Sequence, residues 1–360
     1  MRDPEEKYYE ESRKDFRKER KIAKAKDRSK YKKTDQDQLK KRDIAAPLTE
    51  HLKRGRVLSI NVRGIVVDHE GTLYICSLRG TLKQESSRLK NLVAVGDYVF
   101  FEERDNFQGT IASIEERTSI LSRADNLARK KEQLIAVNID QVLITVSVFL
   151  PALKPFLVDR YIIAARKGNM EPVIVVNKID LLESSEEEEA LYHAFLETYK
   201  NLGIPVIAVS THTNEGIEAL KAAMKDKTSV FSGQSGVGKS SLINTLLGTD
   251  FKVAGIVDRT SKGKHTTTTS HLIPLEDGGF CIDTPGIRSF GIWDLTKQEV
   301  LDYFPEFLAF SPLCKYPDCS HLKEISCAVK IAVEEKRVSA LRYASYEALM
   351  DSVEKEHYNR

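Results

Sequence analysis

Eight consecutive residues, Gly233-Gln234-Ser235-Gly236-Val237-Gly238-Lys239-Ser240, have the types and spacing to hold a polyphosphate. Backbone amides can close on phosphate oxygens only where no side chain intervenes, which Gly233, Gly236 and Gly238 allow. Lys239 would set its ammonium on the β- and γ-phosphates, and the Ser240 hydroxyl would ligate Mg²⁺. Ser241-Leu-Ile-Asn-Thr-Leu-Leu247 then reads as a helix whose N-terminal dipole faces the same charge. A strand over Thr228–Phe231 completes the strand–loop–helix context that the motif requires.

A second constellation, Asn177-Lys178-Ile179-Asp180, follows the apolar run Pro172-Val-Ile-Val-Val176. Ligands gather at such strand ends in open α/β sheets. A carboxylate placed here accepts hydrogen bonds from both N1–H and the exocyclic amine of guanine. Adenine offers no such donor pair, so Asp180 would select GTP over ATP. Asn177 would tie this loop to the phosphate loop, and Lys178 would lay its aliphatic stem along the base. Ser210 ends the next strand, Pro205–Val209. In GTPases a Ser at this point turns its backbone amide to the guanine oxygen; the competing reading is a plain strand-to-helix turn.

Asp283-Thr284-Pro285-Gly286 follows a strand over Gly279–Ile282. Asp283 would hold Mg²⁺ through water, and the Gly286 amide would sense the γ-phosphate. Ile287 stands where many GTPases carry a Gln that orients the attacking water. Isoleucine cannot do so, and slow unassisted turnover is expected. In Gly263-Lys264-His265-Thr266-Thr267-Thr268-Thr269, Thr266 or Thr267 would close over Mg²⁺. His265 is the nearest candidate to act on the water, with equal weight for an ordinary surface-loop histidine.

The guanine-reading segment precedes the phosphate loop, the reverse of the usual order. That inversion points to a circularly permuted GTPase. A P-loop kinase using ATP is the competing class, and Asp180 separates the two.

Cys314, Cys319, His321 and Cys327 supply three thiolates and one imidazole, a full tetrahedral Zn²⁺ set with no open position. A closed set is structural and folds a segment too small for a core of its own. Fe–S binding is the minor alternative, since a His ligand is unusual there. Five cysteines, three of them within fourteen residues, argue against a disulfide scaffold. Cys76 and Cys281 lie in apolar strand-like runs and read as buried core thiols.

These segments need elements to position them, and the 360 residues divide accordingly. Residues 1–50 are charged and lack aliphatic periodicity. Within them, residues 1–46 carry 17 Lys/Arg against 11 Asp/Glu, while the net charge of the whole chain is only +2. A basic arm on a slightly acidic body suits a polyanionic partner; a solvated tail is the alternative. Residues 51–123 show short alternating runs broken by Gly and Asp, which predicts a small β-barrel of the OB type. Such a barrel binds nucleic acid or serves only as a packing module. Residues 124–300 alternate strands with helices over Pro155–Lys167, Glu186–Leu202, Gly216–Met224 and Lys239–Leu247, which predicts a parallel sheet covered on both faces. Residues 301–360 read as a helical zinc-binding module. The fold class is therefore α/β, a circularly permuted P-loop GTPase domain between a barrel and a zinc module. No apolar run is long enough to span a bilayer and no signal-peptide core opens the chain, so a soluble, cytoplasmic protein is expected.

The motif order, with a barrel before and a Cys/His cluster after, closely resembles the RsgA (YjeQ) family of bacterial circularly permuted GTPases. The likeness runs from about Gly55 to about Leu349 and includes 233–241, Gly-Lys-His-Thr-Thr-Thr at 263–268 and Arg342-Tyr-Ala-Ser-Tyr346. It implies binding to the 30S ribosomal subunit and its 16S rRNA, and GTP hydrolysis stimulated by that subunit during its late maturation. It further implies His265, Lys239 and Thr267 in catalysis, GTP or GDP with Mg²⁺ as ligand, and one zinc at the four Cys/His positions. A monomer is expected. The alternative is a zinc/OB RNA-binding protein for which the nucleotide is a switch with little turnover. Because Asp283–Gly286 closes the GTPase domain, loss of the γ-phosphate is expected to move the zinc module.

Overall fold

The computed structural model describes residues 52–80, 92–124, 132–247, 270–283 and 296–358. The arm, His265, Thr266, Thr267 and Gly286 lie outside the described residues.

The alternating runs after residue 51 form β1 (Leu52–Asn61), β2 (Gly64–His69), β3 (Thr72–Leu78), β4 (Tyr98–Arg104) and β5 (Gln108–Ile114). They pair in the order β1-β2-β3-β5-β4, and β4 returns to β1. Only β3–β5 is parallel. This is the closed five-stranded barrel expected, with the topology of an OB-fold. Its inward positions, among them Val57, Val67, Cys76, Val99, Phe101 and Ile111, make a core of their own. β6 (Ile120–Ala124) takes no part in the closure. It pairs instead with β7 (Glu132–Val137) in a separate two-stranded sheet.

β8 (Gln141–Ser147), β9 (Glu171–Asn177), β10 (Val206–Ala208), β11 (Thr228–Gly233), β12 (His271–Pro274) and β13 (Phe280–Asp283) form the GTPase sheet, in the order β10-β9-β8-β11-β13-β12. All neighbours are parallel except β12. Every residue of β8 and β11 is buried, as strands covered on both faces require. The covering helices are α1 (Pro155–Lys167), α2 (Glu186–Asn201), α3 (Ile217–Met224) and α4 (Lys239–Leu247). α1 opens on a proline, whose missing N–H has no intrahelical partner at that position. α2 opens on a Ser185 cap with four glutamates in its first turn, where negative charge meets the helix dipole.

The chain steps from β8 outward through β9 to β10, then returns to build β11 on the other flank of β8. The loops after β8 and β11 diverge there and leave a crevice at the strand C-termini. β11 is longer than the sequence indicates, reaching Gly233, and β13 ends on Asp283 itself.

The C-terminal segment contains α5 (Lys297–Asp302), 3₁₀ turns at Pro305–Phe307 and Ser311–Leu313, α6 (Ala328–Glu334) and α7 (Ala340–Tyr358). Thr296 and Glu299 cap α5 reciprocally. Phe304, Phe307, Val329, Tyr346 and Leu349 join the cluster that holds Val158 and Ile162 of α1 and Ile144 of β8. The module thus borrows the GTPase core through α1. Among the described residues no helix is long and apolar enough to cross a membrane.

Candidate active site and metal centre

β11 delivers the phosphate loop at the crevice. Gly233 has φ +143, and a Cβ there would lie 2.1 Å from the Thr145 carbonyl oxygen of β8. Glycine alone lets the two backbones run this close. At Gly238, φ +96, a Cβ would lie 2.3 Å from Asn177 Nδ2, so the loop and the guanine-reading segment touch with no room for a side chain. Asn177 Nδ2 donates to the Val237 carbonyl at 2.9 Å, the tie expected of it. The Lys178 ammonium donates to the Gly236 carbonyl at 2.9 Å and to the Leu150 carbonyl. Its head is held at the loop, which leaves the stem as the part able to face a base. The Lys239 ammonium rests on the Gly233 and Gln234 carbonyls, 2.8 Å from each. A cation held at the mouth of the loop fits a polyphosphate that would take over those contacts.

Asp180 follows at the start of the 3₁₀ turn Ile179–Ser184. Its Oδ1 accepts the Ser210 hydroxyl at 2.6 Å. Oδ2 takes no hydrogen bond among the described residues. The Ser210 oxygen in turn accepts the amides of His212 and Thr213, each at 3.1 Å. Ser210 has two readings, an amide turned to a base and a plain strand-to-helix turn. The Ser210 amide donates to the Glu215 carbonyl at 3.0 Å, closing the turn, so it is not turned to a base oxygen. Ser210 bears on the site through its hydroxyl, which orients Asp180.

Asn177, Lys178, Ile179, Asp180 and Ser210 are thus brought to Gly233, Gln234, Ser235, Gly236, Val237, Gly238, Lys239, Ser240 and Ser241 at one crevice. Ser240 lies in the first turn of α4, immediately after Lys239. Asp283 ends β13, next to β11.

The RsgA GTPase family model matches residues 114–293. A small ribosomal subunit biogenesis GTPase RsgA of Chlorobaculum parvum is 44% identical over 273 residues, 73% of this chain and 86% of the relative. The chain belongs to the RsgA GTPase family. Among solved structures, YjeQ from Thermotoga maritima matches with a TM-score of 0.68 at 30% identity, over 84% of this chain and 98% of that one. YloQ, a circularly permuted GTPase, matches with a TM-score of 0.65 at 29% identity, over 87% and 99%. As an RsgA family member the protein binds guanine nucleotide and hydrolyses GTP. The permuted order inferred from the motifs is the order of the fold, and the ATP-kinase reading falls.

The four Cys/His residues converge. One ligand atom from each of Cys314, Cys319, His321 and Cys327 lies within 4.8 Å of all the others. Cys314 and Cys327 sulfurs are 3.9 Å apart, and His321 Nδ1 stands 3.6 and 3.4 Å from them. A tetrahedral ion with metal–sulfur bonds of ~2.3 Å has sulfur–sulfur edges of about 3.8 Å, so the spacing fits. Nδ1 is the nitrogen that faces the thiols, while Nε2 lies 3.2 Å from the Ser311 hydroxyl, the outer partner such a ligand needs. Burial, with Cys327 and Cys314 beside it, pushes the Cys319 thiol up to about 12. With no ion the sulfur is thus held as a thiol, and a cation bound among the four residues would be what makes thiolates of the three cysteines. Thiolate and imidazole donors suit a soft or borderline ion rather than Mg²⁺.

Residues that spacing did not single out hold this centre in place. Burial acts to raise the Glu324 carboxyl, but bonds from the Ser320 hydroxyl and the Ser320 and Leu322 amides outweigh it and bring it to about 2. Tyr343 and Tyr346 hydroxyls donate to the His321 and Ser320 carbonyls, both at 2.8 Å. Arg342, near the start of α7, meets buried Asp159 of α1 at 2.5 Å and Glu306 at 2.6 Å. Burial pushes the Asp159 carboxyl up, against the pull of Arg342. A guanidinium does not deprotonate in proteins, and its charge beside Asp159 favours the ionised carboxylate. Tyr199 of α2 donates to the same carboxylate at 2.9 Å. The Arg342-to-Tyr346 segment stood out as a motif; its work, bracing the metal loop against α1, depends on partners far away in sequence.

Proposed function

We propose that the protein acts in late maturation of the small ribosomal subunit, binding the 30S subunit and its 16S rRNA in the GTP state and leaving after hydrolysis. The observation that carries this is the 44% identical relative named a small ribosomal subunit biogenesis GTPase. The assembled crevice around Asp180 and Lys239 supports it. In this reading Asp180 selects guanine and Lys239 neutralises the triphosphate. Ser240, Asp283 and Thr267 (or Thr266) hold Mg²⁺, and the Gly286 amide senses the γ-phosphate. His265 positions the water that Ile287 cannot, and the subunit completes this arrangement. Zinc sits at Cys314, Cys319, His321 and Cys327 as a structural ion. The basic arm, residues 1–50, and the barrel, 51–123, supply the charge and surface for RNA. The GTPase domain spans 124–300 and the zinc module 301–360. The protein works as a cytoplasmic monomer.

Multiple-turnover phosphate release, with and without purified 30S subunits, tests this reading. Slow release alone and at least tenfold faster release with subunits is the expected result. An identical rate in both would overturn it. Equal affinity of the GTP- and GDP-loaded forms for subunits would remove the release step. The reading as a nucleotide switch without turnover has Lys239, Ser240 and Asp283 against it, all retained here.

A further inference from the structure

Arg56 belongs by backbone to the barrel, opposite Asp68 on β2 and Tyr98 on β4. Its guanidinium does not stay there. Nη2 donates to Thr228 Oγ1 at 2.8 Å and to the Asn138 carbonyl at 3.0 Å. The group lies 4.5 Å from the Phe280 ring and 5.0 Å from that of Tyr98. Thr228 opens β11 and Phe280 opens β13, and the two are register partners. β11 ends at Gly233 in the phosphate loop, and β13 ends at Asp283. One barrel side chain therefore grips the entry ends of both strands that reach the phosphates.

Packing alone does not account for it. Arg56 is 8% exposed, and among the described residues no carboxylate hydrogen-bonds to it. The nearby acid, Asp140, accepts the Thr228 amide at 2.6 Å instead. A buried guanidinium with no carboxylate in salt-bridge contact among the described residues, and Asp140 acting on it only from a distance, costs desolvation that an apolar side chain would avoid. Direct strand pairing across this junction is thin, since β1 meets β12 at the single register pair Ser59–His271. Asn138 adds polar links, donating to the Gly96 carbonyl at 3.0 Å and accepting the Thr118 amide at 2.9 Å, while Leu58 and Val95 pack against the GTPase cluster and Val95 bridges to Ala136.

We propose that Arg56 is a positioning residue that couples the barrel to the nucleotide site. It fixes β11 and β13 relative to β1, so a change at the phosphate loop or at Asp283 alters how the barrel is seated. By linkage, whatever settles on the barrel biases the nucleotide site in return. This coupling is intrinsic to the chain and does not depend on which partner the barrel takes.

Hydrogen exchange on the full-length protein, loaded with GDP or with a non-hydrolysable GTP analogue, tests it. In the wild type, amides of 52–61 and 98–104 should differ at least threefold in exchange rate between the two states. Arg56→Met keeps the apolar contact with Phe280 but loses both hydrogen bonds. Thr228→Val removes the acceptor at constant shape. Each should reduce the difference below twofold, with GDP affinity and thermal midpoint near wild type, and Arg56→Lys should recover part of it. The proposal is overturned by a wild type with no difference between states, or by folded variants that keep the full difference. It is also overturned by loss of GDP affinity beyond tenfold in both variants, which would mark a purely structural role. Should Arg56→Met not fold, Thr228→Val decides.

Discussion

Where α7 lies against α1, the C-terminal module and the GTPase domain share one apolar cluster, with Val158 and Ile162 facing Phe304, Tyr346 and Leu349. Where β1 approaches β12, the barrel keeps its own core but also lays Leu58 and Val95 against that same cluster, beside Arg56, Asn138 and a single β1–β12 register pair. An apolar junction locked by the buried Asp159–Arg342 pair resists sliding, because movement opens cavities and strands a charge. The barrel junction adds to its apolar contacts hydrogen bonds that can exchange as it shifts. The zinc module, expected to move with γ-phosphate loss, shares its apolar cluster with α1. The proposed Arg56 coupling adds a second route, through the barrel side.

The largest test of this contrast is removal of the metal. Zinc sites of this kind contribute about 10–16 kcal/mol in small peptides. Chelation or Cys327→Ser should unfold the module and loosen the GTPase domain through α1, while barrel amides keep their exchange protection. A barrel that loses protection in step would erase the distinction between the junctions. Next comes Arg342→Met, which leaves Asp159 buried and unpaired at a cost of about 3–5 kcal/mol in urea denaturation. Adding Asp159→Leu should return most of that loss, and a single-variant cost below about 1 kcal/mol would mean the pair does not lock the junction.

Asp180→Asn acts at the crevice and should disturb neither junction. GTP affinity should fall by about 2–3 kcal/mol, roughly 30- to 150-fold, with xanthine nucleotides bound better, as read by calorimetric titration. Unchanged guanine preference would remove Asp180 from its role. The smallest effect is expected from Glu324→Gln, about 1 kcal/mol at neutral pH. Because the folded carboxyl lies at about 2, below its ordinary value near 4.3, its stabilisation is full above that ordinary value. It is lost as pH falls from ~4.3 toward 2, so the melting temperatures of wild type and variant should converge over that window.

Much of the site was legible because its chemistry is local. The glycines of 233–238, the Asn177–Asp180 run and the Cys314–Cys327 cluster each carry their meaning in spacing of fourteen residues or fewer. Barrel and sheet were legible from the period of their apolar residues, β6 excepted, since strand pairing is not written in a strand's own pattern. The junctions were not legible at all. Arg56 meets Thr228 across 172 positions and Arg342 meets Asp159 across 183, distances at which no local pattern links the partners. The bond from the Ser210 amide to Glu215 was not legible either, because it depends on how the turn closes.

The flanks of the nucleotide-binding sheet carry a last consequence. One border is β10, only three residues long; the other is β12, beside which the barrel stands. Short rims and shielded rims are how sheets avoid recruiting strands from other molecules. A truncated chain starting beyond the barrel would bare the Leu272–Ile273 rim and should precipitate or self-associate. The barrel therefore doubles as a guard on solubility.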